Sequence, residues 1–276
     1  MSSELVTKYF REERLPHIWC PGCGHGIATR AVMEAIDRLG WDKNDTCIVS
    51  GIGCSSRAPG YLDFNTLHTT HGRALAFATG IKLAKPHLHV IVLTGDGDTS
   101  AIGGNHLIHA ARRNIDITTV VFNNNTYGMT GGQYSPTTPF HDKGTTAPYG
   151  NIDQPFDICN LAQAAGATYV ARSTVFHPKQ LSQMVEKALQ KKGFSLVEAI
   201  SSCPTYYGRK NKKGTAVDMM NFLKYRAVSQ SKFDALPPEE QAEHVVTGEF
   251  MNRTAPEYTE SYQKIIDLVQ RREESK

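Results

Sequence analysis

No apolar run in the 276-residue sequence approaches the roughly 20 residues needed to span a bilayer. The opening stretch, MSSELVTKYFREERLPH, has neither the apolar core nor the small-residue cleavage site of a secretory signal. Excess charge of one sign is missing too: 30 basic residues face 27 acidic ones, a net charge of +3. That balance argues against nucleic acid or a membrane surface as the main partner. Internal repeats, low-complexity tracts and a Walker A loop are absent. No G-x-G-x-x-G fingerprint is present either, since both GIGCSSR and GDGDTS miss it. The expectation is a cytoplasmic globular protein, long enough for one large α/β domain or two small ones.

Short apolar runs alternate with helical stretches. Strands are expected at 46–53, 89–98, 117–125, 168–173 and 194–200, and helices at 72–85, 103–114, near 156–166 and near 178–192. Strands apolar on both faces, separated by helices of this length, form a parallel sheet covered on both sides. Ligands of such sheets sit beyond the carboxyl ends of the strands. GIGCSSR, GDGD, NNNTYGMTGGQ and SSCP all fall there. One domain is expected over 1–205, followed by a basic loop, YYGRKNKKG, and a helical tail over 206–276 that packs on a neighbour.

Asp96 in GDGD and Asn124 in NNNT are separated by one βαβ unit, which brings both side chains to the same sheet edge. A carboxylate, an amide oxygen and a main-chain carbonyl, that of Thr126, are hard donors suited to octahedral Mg²⁺, with diphosphate oxygens and water completing the shell. Gly95, Gly97, Gly128, Gly131 and Gly132 let the backbone approach phosphates. Taken singly, each motif would also suit an ordinary surface turn.

Of the six cysteines, Cys47 and Cys159 lie in apolar patterns and read as small buried hydrophobes. Disulfides are not expected in the cytoplasm. Cys20, Cys23, Cys54 and Cys203 remain, the number that closes a tetrahedral thiolate site. The C-x-x-C pair alone fits half a zinc site, a redox dithiol or part of an iron–sulfur cluster. The spacing is too dispersed for a zinc ribbon, and a dithiol would not need Cys54 or Cys203. Cys54 ends the strand before GDG, so the thiols lie beside the candidate metal. Structural zinc and an electron-carrying cluster both remain open.

GDG followed about 28 residues later by NN resembles the thiamin-diphosphate enzyme signature. With CPGCGHG, GIGCSSR, TTHGRALAFATGIKLA and SCPTY, the stretch 15–210 resembles the β subunit of 2-oxoacid:ferredoxin oxidoreductases. The resemblance implies an α/β three-layer thiamin-diphosphate-binding fold: a mostly parallel sheet flanked by helices, plus a C-terminal arm. It further implies one 4Fe–4S cluster on Cys20, Cys23, Cys54 and Cys203, and Mg²⁺ on Asp96, Asn124 and Thr126. Thiamin diphosphate is placed against Ile52, Gly53, Cys54, Ser55, His71, Gly97, Asp98, Gly128 and Met129. Arg57 and His71 are candidate catalytic residues. The implied reaction takes 2-oxoglutarate, coenzyme A and oxidised ferredoxin reversibly to succinyl-CoA, CO₂ and reduced ferredoxin. Pyruvate or another 2-oxoacid is the alternative substrate, because Gly131 stands where some 2-oxoglutarate-accepting relatives carry lysine.

The glutamate that activates the cofactor has no place in this chain. An α subunit carrying it is implied, in an (αβ)₂ assembly. Arg57, His68 and Arg73 could offer positive charge to a carboxylate or to coenzyme A, or could serve structure. His106 and His109, at i and i+3 on a helix, lack a third metal ligand. The basic loop could dock an acidic ferredoxin or simply be solvated. A non-redox thiamin lyase or decarboxylase, and a zinc-stabilised binding subunit, are the remaining alternatives.

Overall fold

The computed structural model describes residues 3–241 and 243–274. Its main sheet contains β1 (Thr46–Ser50), β2 (Asn65–His68), β3 (His89–Gly95), β4 (Thr118–Asn123), β5 (Tyr169–Thr174), β6 (Ser195–Ile200) and β7 (Gly248–Asn252). They lie side by side in the order β7-β5-β6-β4-β3-β1-β2. The first six run parallel, whereas β7 is antiparallel to β5.

Alternation along the strands divides the core. Ile48, Ile91, Leu93, Val120, Phe122 and Val197 face α1 (His25–Leu39) and α5 (Pro178–Gln190), through side chains such as Val32, Ile36, Leu181 and Val185. Val49, Val90, Val92, Val121, Val170 and Leu196 face α2 (Ala74–Ala84), α3 (Gly104–Arg112) and α4 (Ile158–Ala164). Burial on both faces is why these strands read as unbroken apolar runs. The five strands expected from the sequence are β1, β3, β4, β5 and β6, most of them shorter at the end where the chain turns into a loop. Helix α1 and the edge strand β2 were not expected. Two wide π-type turns follow the sheet edge, Asp98–Ile102 after β3 and Pro204–Gly208 after Cys203. Such turns often mark functional positions.

The division at residue 205 needs correction in part, because much of the expected tail is built into this chain. Met219 and Leu223 of α6 (Ala216–Arg226) are buried. Strand β7 extends the sheet. Asn114 Nδ2 donates to the carbonyls of Ala255 (3.3 Å) and Pro256 (3.0 Å), and Glu257 accepts from the Asp116 N–H at 3.2 Å. Helix α7 (Tyr258–Glu274) keeps an apolar stripe, Tyr262, Ile265, Leu268 and Val269, half-exposed. Among the described residues, no helix is long and apolar enough to cross a membrane.

Candidate functional site

The ends of β1, β3 and β4 open into one cleft. Ile52, Gly53, Cys54 and Ser55 line it from the β1 turn, Gly97 and Asp98 from the β3 turn, and Gly128 and Met129 from the loop after β4. His71, Asp96, Asn124 and Thr126 line it as well. Every residue expected to touch the cofactor therefore meets in one place. Arg57 does not: its Nη2 lies 2.9 Å from His68 Nε2, and His68 Nδ1 lies 3.1 Å from Ser50 Oγ. Arg73 is committed to the carbonyls of His71 (3.1 Å) and Ile102 (3.3 Å). Both arginines thus tie loops together.

Asp96 is buried, and burial raises its carboxyl above the usual range. Its Oδ2 accepts from Ser135 Oγ and Thr137 Oγ1, both at 2.6 Å. Oδ1 is turned the other way, toward Asn124. The inner amide atom of Asn124 lies 3.3 Å from Asp96 Oδ1 and 2.8 Å from the Thr126 carbonyl oxygen. Two arrangements satisfy this triangle. Either the amide nitrogen points inward and donates, or the amide oxygen does and a cation neutralises three converging oxygens. Adjacent ligands of octahedral Mg²⁺, each about 2.1 Å from the ion, lie about 3.0 Å apart. The observed separations bracket that value, so the donor set fits the ion.

Neighbouring side chains fix this geometry. Thr137 Oγ1 also reaches Asn123 Oδ1 (3.1 Å), Asn123 Nδ2 donates to Glu198 (2.7 Å), and Glu198 pairs with Arg172 (2.6 Å). Cys159 donates to the same Glu198 at 3.3 Å, so it is a polar partner as well as a buried small side chain. Asp98 lines the cleft, but its carboxylate is already engaged. It accepts from the Gly72 N–H (2.7 Å), Thr94 Oγ1 (3.1 Å) and the Ile52 N–H, clamping three loops. A Cβ on Gly51 would lie 1.8 Å from Asp98 Oδ2, and one on Gly97 would lie 2.2 Å from the Tyr127 ring. Close approach, rather than an unusual φ, demands glycine at both.

The four thiols adjoin the cleft. A Cβ on Gly128 would lie 3.4 Å from Cys54 Sγ and 3.7 Å from Cys203 Sγ. Trp19 Nε1 donates to the Cys54 carbonyl (2.7 Å), and Ser202 Oγ to the Gly22 carbonyl (3.1 Å). Those two bonds hold the Cys20–Cys23 loop against both other cysteines. Burial, together with the negative charge each thiolate would impose on the others, pushes Cys23 up to about 12 and Cys54 up to about 11, and raises Cys203. Main-chain N–H groups of His25, Met129, and Tyr206 with Tyr207 oppose this at Cys23, Cys54 and Cys203 respectively. Deprotonating thiols so placed calls for a cationic centre beside them, and main-chain N–H groups already point at three of the sulfurs. Among the described residues no three His, Cys, Asp or Glu side chains converge as a single ion would require. His106 and His109 share this lack of a third ligand.

His25, Phe122, Tyr127, Ile102 and Thr130 also line the cleft without having been expected there. Burial pushes the His25 imidazole down to about 4, so it is neutral at ordinary pH, with Nδ1 3.0 Å from Ser201 Oγ. Its place in CPGCGHG was the available signal. Ser135 and Thr137 left none, because their role depends on a loop folding back over β3.

Comparison with known proteins agrees with this geometry. Residues 51–199 match the family model described as the thiamine pyrophosphate enzyme, C-terminal TPP binding domain. The chain is 55% identical to the 2-oxoglutarate synthase subunit KorB of Methanocaldococcus jannaschii, covering 95% of this chain and 97% of that one. It is 45% identical to the 2-oxoacid:ferredoxin oxidoreductase subunit beta of Saccharolobus solfataricus over 68% of this chain and 62% of that one. Among solved structures, a 2-oxoglutarate:ferredoxin oxidoreductase from Magnetococcus marinus, with 2-oxoglutarate, coenzyme A and succinyl-CoA bound, superposes with a TM-score of 0.84 at 34% identity. That match covers 96% of this chain and 90% of the other.

Proposed function

This chain belongs to the β subunits of the 2-oxoacid:ferredoxin oxidoreductases, and on that premise we propose that it binds thiamin diphosphate through Mg²⁺ and holds a 4Fe–4S cluster beside it. The substrates are 2-oxoglutarate and coenzyme A, with electrons leaving to ferredoxin. The observation that carries the reading is the convergence of Asp96 Oδ1, the Asn124 amide and the Thr126 carbonyl, one loop away from the thiols of Cys54 and Cys203.

When bound, thiamin diphosphate supplies the carbanion chemistry at the 2-oxoacid carbonyl, and the cluster supplies an outlet for electrons. This chain's residues bind and orient. Asp96, Asn124 and the Thr126 carbonyl hold the ion, while Gly97 leaves room for diphosphate. Asp98 fixes the surrounding loops. Cys20, Cys23, Cys54 and Cys203 hold iron, and the main-chain N–H groups at His25 and Met129 temper the thiolate charge. Gly131 has φ +116°, a conformation that disfavours lysine, so on this loop the distal carboxylate must find its charge elsewhere.

Met129 and Ile102 are about half-exposed at the cleft mouth. An α subunit bearing the activating glutamate covers them. The deciding experiment is anaerobic co-purification of the αβ complex, assayed for viologen reduction with coenzyme A across several 2-oxoacids. The complex turns over fastest with 2-oxoglutarate, and this chain alone does not turn over. Turnover by the chain alone, or zinc without iron in the complex, overturns the reading.

Thr137 offers a subtler check. Thr137→Val keeps the shape but removes the hydroxyl that fixes Asp96 Oδ2. Loss of such a supporting bond weakens Mg²⁺ affinity by about 10- to 100-fold. Titration of Mg²⁺ into the complex at fixed thiamin diphosphate measures it; an unchanged affinity would leave Thr137 without this role.

A further inference from the structure

We infer that the loop 209–213, together with the exposed edge of the thiol site, is the docking surface for a small acidic iron–sulfur carrier protein. The inference rests on the cluster assignment above and adds where the electrons leave.

Three observations converge. The first is access. Cys20 is exposed, unlike Cys203, and the Cys20–Gly22 turn forms the surface over the thiols. Among the four thiols, it therefore offers the shortest route from the site to solvent.

The second is placement. The loop follows directly from Cys203, and a Cβ on Gly22 would lie 2.3 Å from Ala216 Cβ and 3.4 Å from Pro204 Cγ. The basic loop and the Cys20 turn are thus packed side by side. Ile18 and Val217, each 68% exposed, flank the junction with apolar surface.

The third is charge held in a built loop. Asn211 accepts from the Lys143 N–H (2.6 Å) and donates to the carbonyls of Lys143 and Tyr207, both at 3.0 Å. Lys212 adopts φ +52°, a conformation costly for a lysine and maintained by these contacts. The result presents Arg209, Lys210 and Lys212 to solvent. Among the described residues none of the three forms an ion pair. The nearby carboxylate of Asp218 is taken up by Thr215 in the capping box of α6. Three unpaired cations around an apolar centre complement an acidic partner, and such fields raise association rates more than they raise affinity. A cluster held by these thiols would hand one electron to the oxidised carrier at each docking event. Two events clear the pair released per 2-oxoacid.

The test uses the αβ complex with Arg209→Glu, Lys210→Glu and Lys212→Glu combined, and a small acidic two-cluster ferredoxin as the probe. The expected result is a KM for ferredoxin at least tenfold higher at low salt, with its dependence on ionic strength flattened. Iron content and methyl viologen reduction stay at the wild-type level. The milder set Arg209→Gln, Lys210→Gln and Lys212→Gln gives a smaller rise in the same direction. An unchanged ferredoxin KM and salt profile overturns the inference. So does a parallel loss of viologen reduction or of the α subunit, which would make the loop an assembly element. If the wild-type complex reduces neither acceptor, the proposed function itself fails, a result separable from the others.

Discussion

Cys54→Ser leaves a complex that has lost its iron, its broad visible absorption and its viologen reduction together. Cys54 is half-buried in the turn after β1, with its sulfur against Gly128 and its carbonyl gripped by Trp19. Serine fits the space, so the fold survives. A hydroxyl in that environment stays protonated and is a poor ligand for iron, and the cluster is lost with one of its four anchors. Cys203→Ser behaves alike. Cys159→Ser and Cys47→Ala do not, since Cys159 serves Glu198 and Cys47 packs between β1 and α2. Iron and sulfide analysis beside the visible spectrum reads all four variants. Full iron in Cys54→Ser, or iron loss in Cys159→Ser, would dissociate these thiols from the cluster.

Asp96→Asn removes the other half of the chemistry while sparing the cluster. The amide retains an oxygen that can still accept from Ser135 and Thr137, so the loop over β3 keeps its position. What disappears is the negative charge that balances the ion. Removing a ligand's charge exceeds the cost of a lost supporting bond, so affinity for Mg²⁺ with thiamin diphosphate falls by more than about 100-fold. The protein without cofactor is no less stable, because a buried carboxylate short of a cation is itself unfavourable. Calorimetric titration of the cofactor and thermal unfolding with and without it separate these effects. Cofactor-induced stabilisation vanishes in the variant while iron content is retained. A variant that binds cofactor normally would move the metal away from Asp96.

The features legible in the sequence are those whose signal is local. Strands β1, β3 and β4 end in glycine-rich turns, and these carry Cys54, Asp96 and Asn124 to one edge. Helix α1 was hard to read because alanine fills its buried face at 28, 31 and 35. β2 is four partly polar residues at the sheet edge and has no alternation to find. At the site, the metal ligands and thiols could be read from spacing, but their supports could not. Thr137 stands 41 residues from Asp96, and Glu198 stands 75 from Asn123. Arg57 shows what position in sequence leaves undetermined: its side chain turns to His68 and does not line the cleft.

The antiparallel pairing of β7 with β5 has a consequence for biogenesis. Until residues 248–252 emerge from the ribosome, the outer backbone of β5 offers unpaired N–H and C=O groups, an invitation to pair with another nascent chain. Residues 248–252 therefore act as a built-in guard of the sheet they complete, and stalled or clipped chains lacking them are the ones that aggregate.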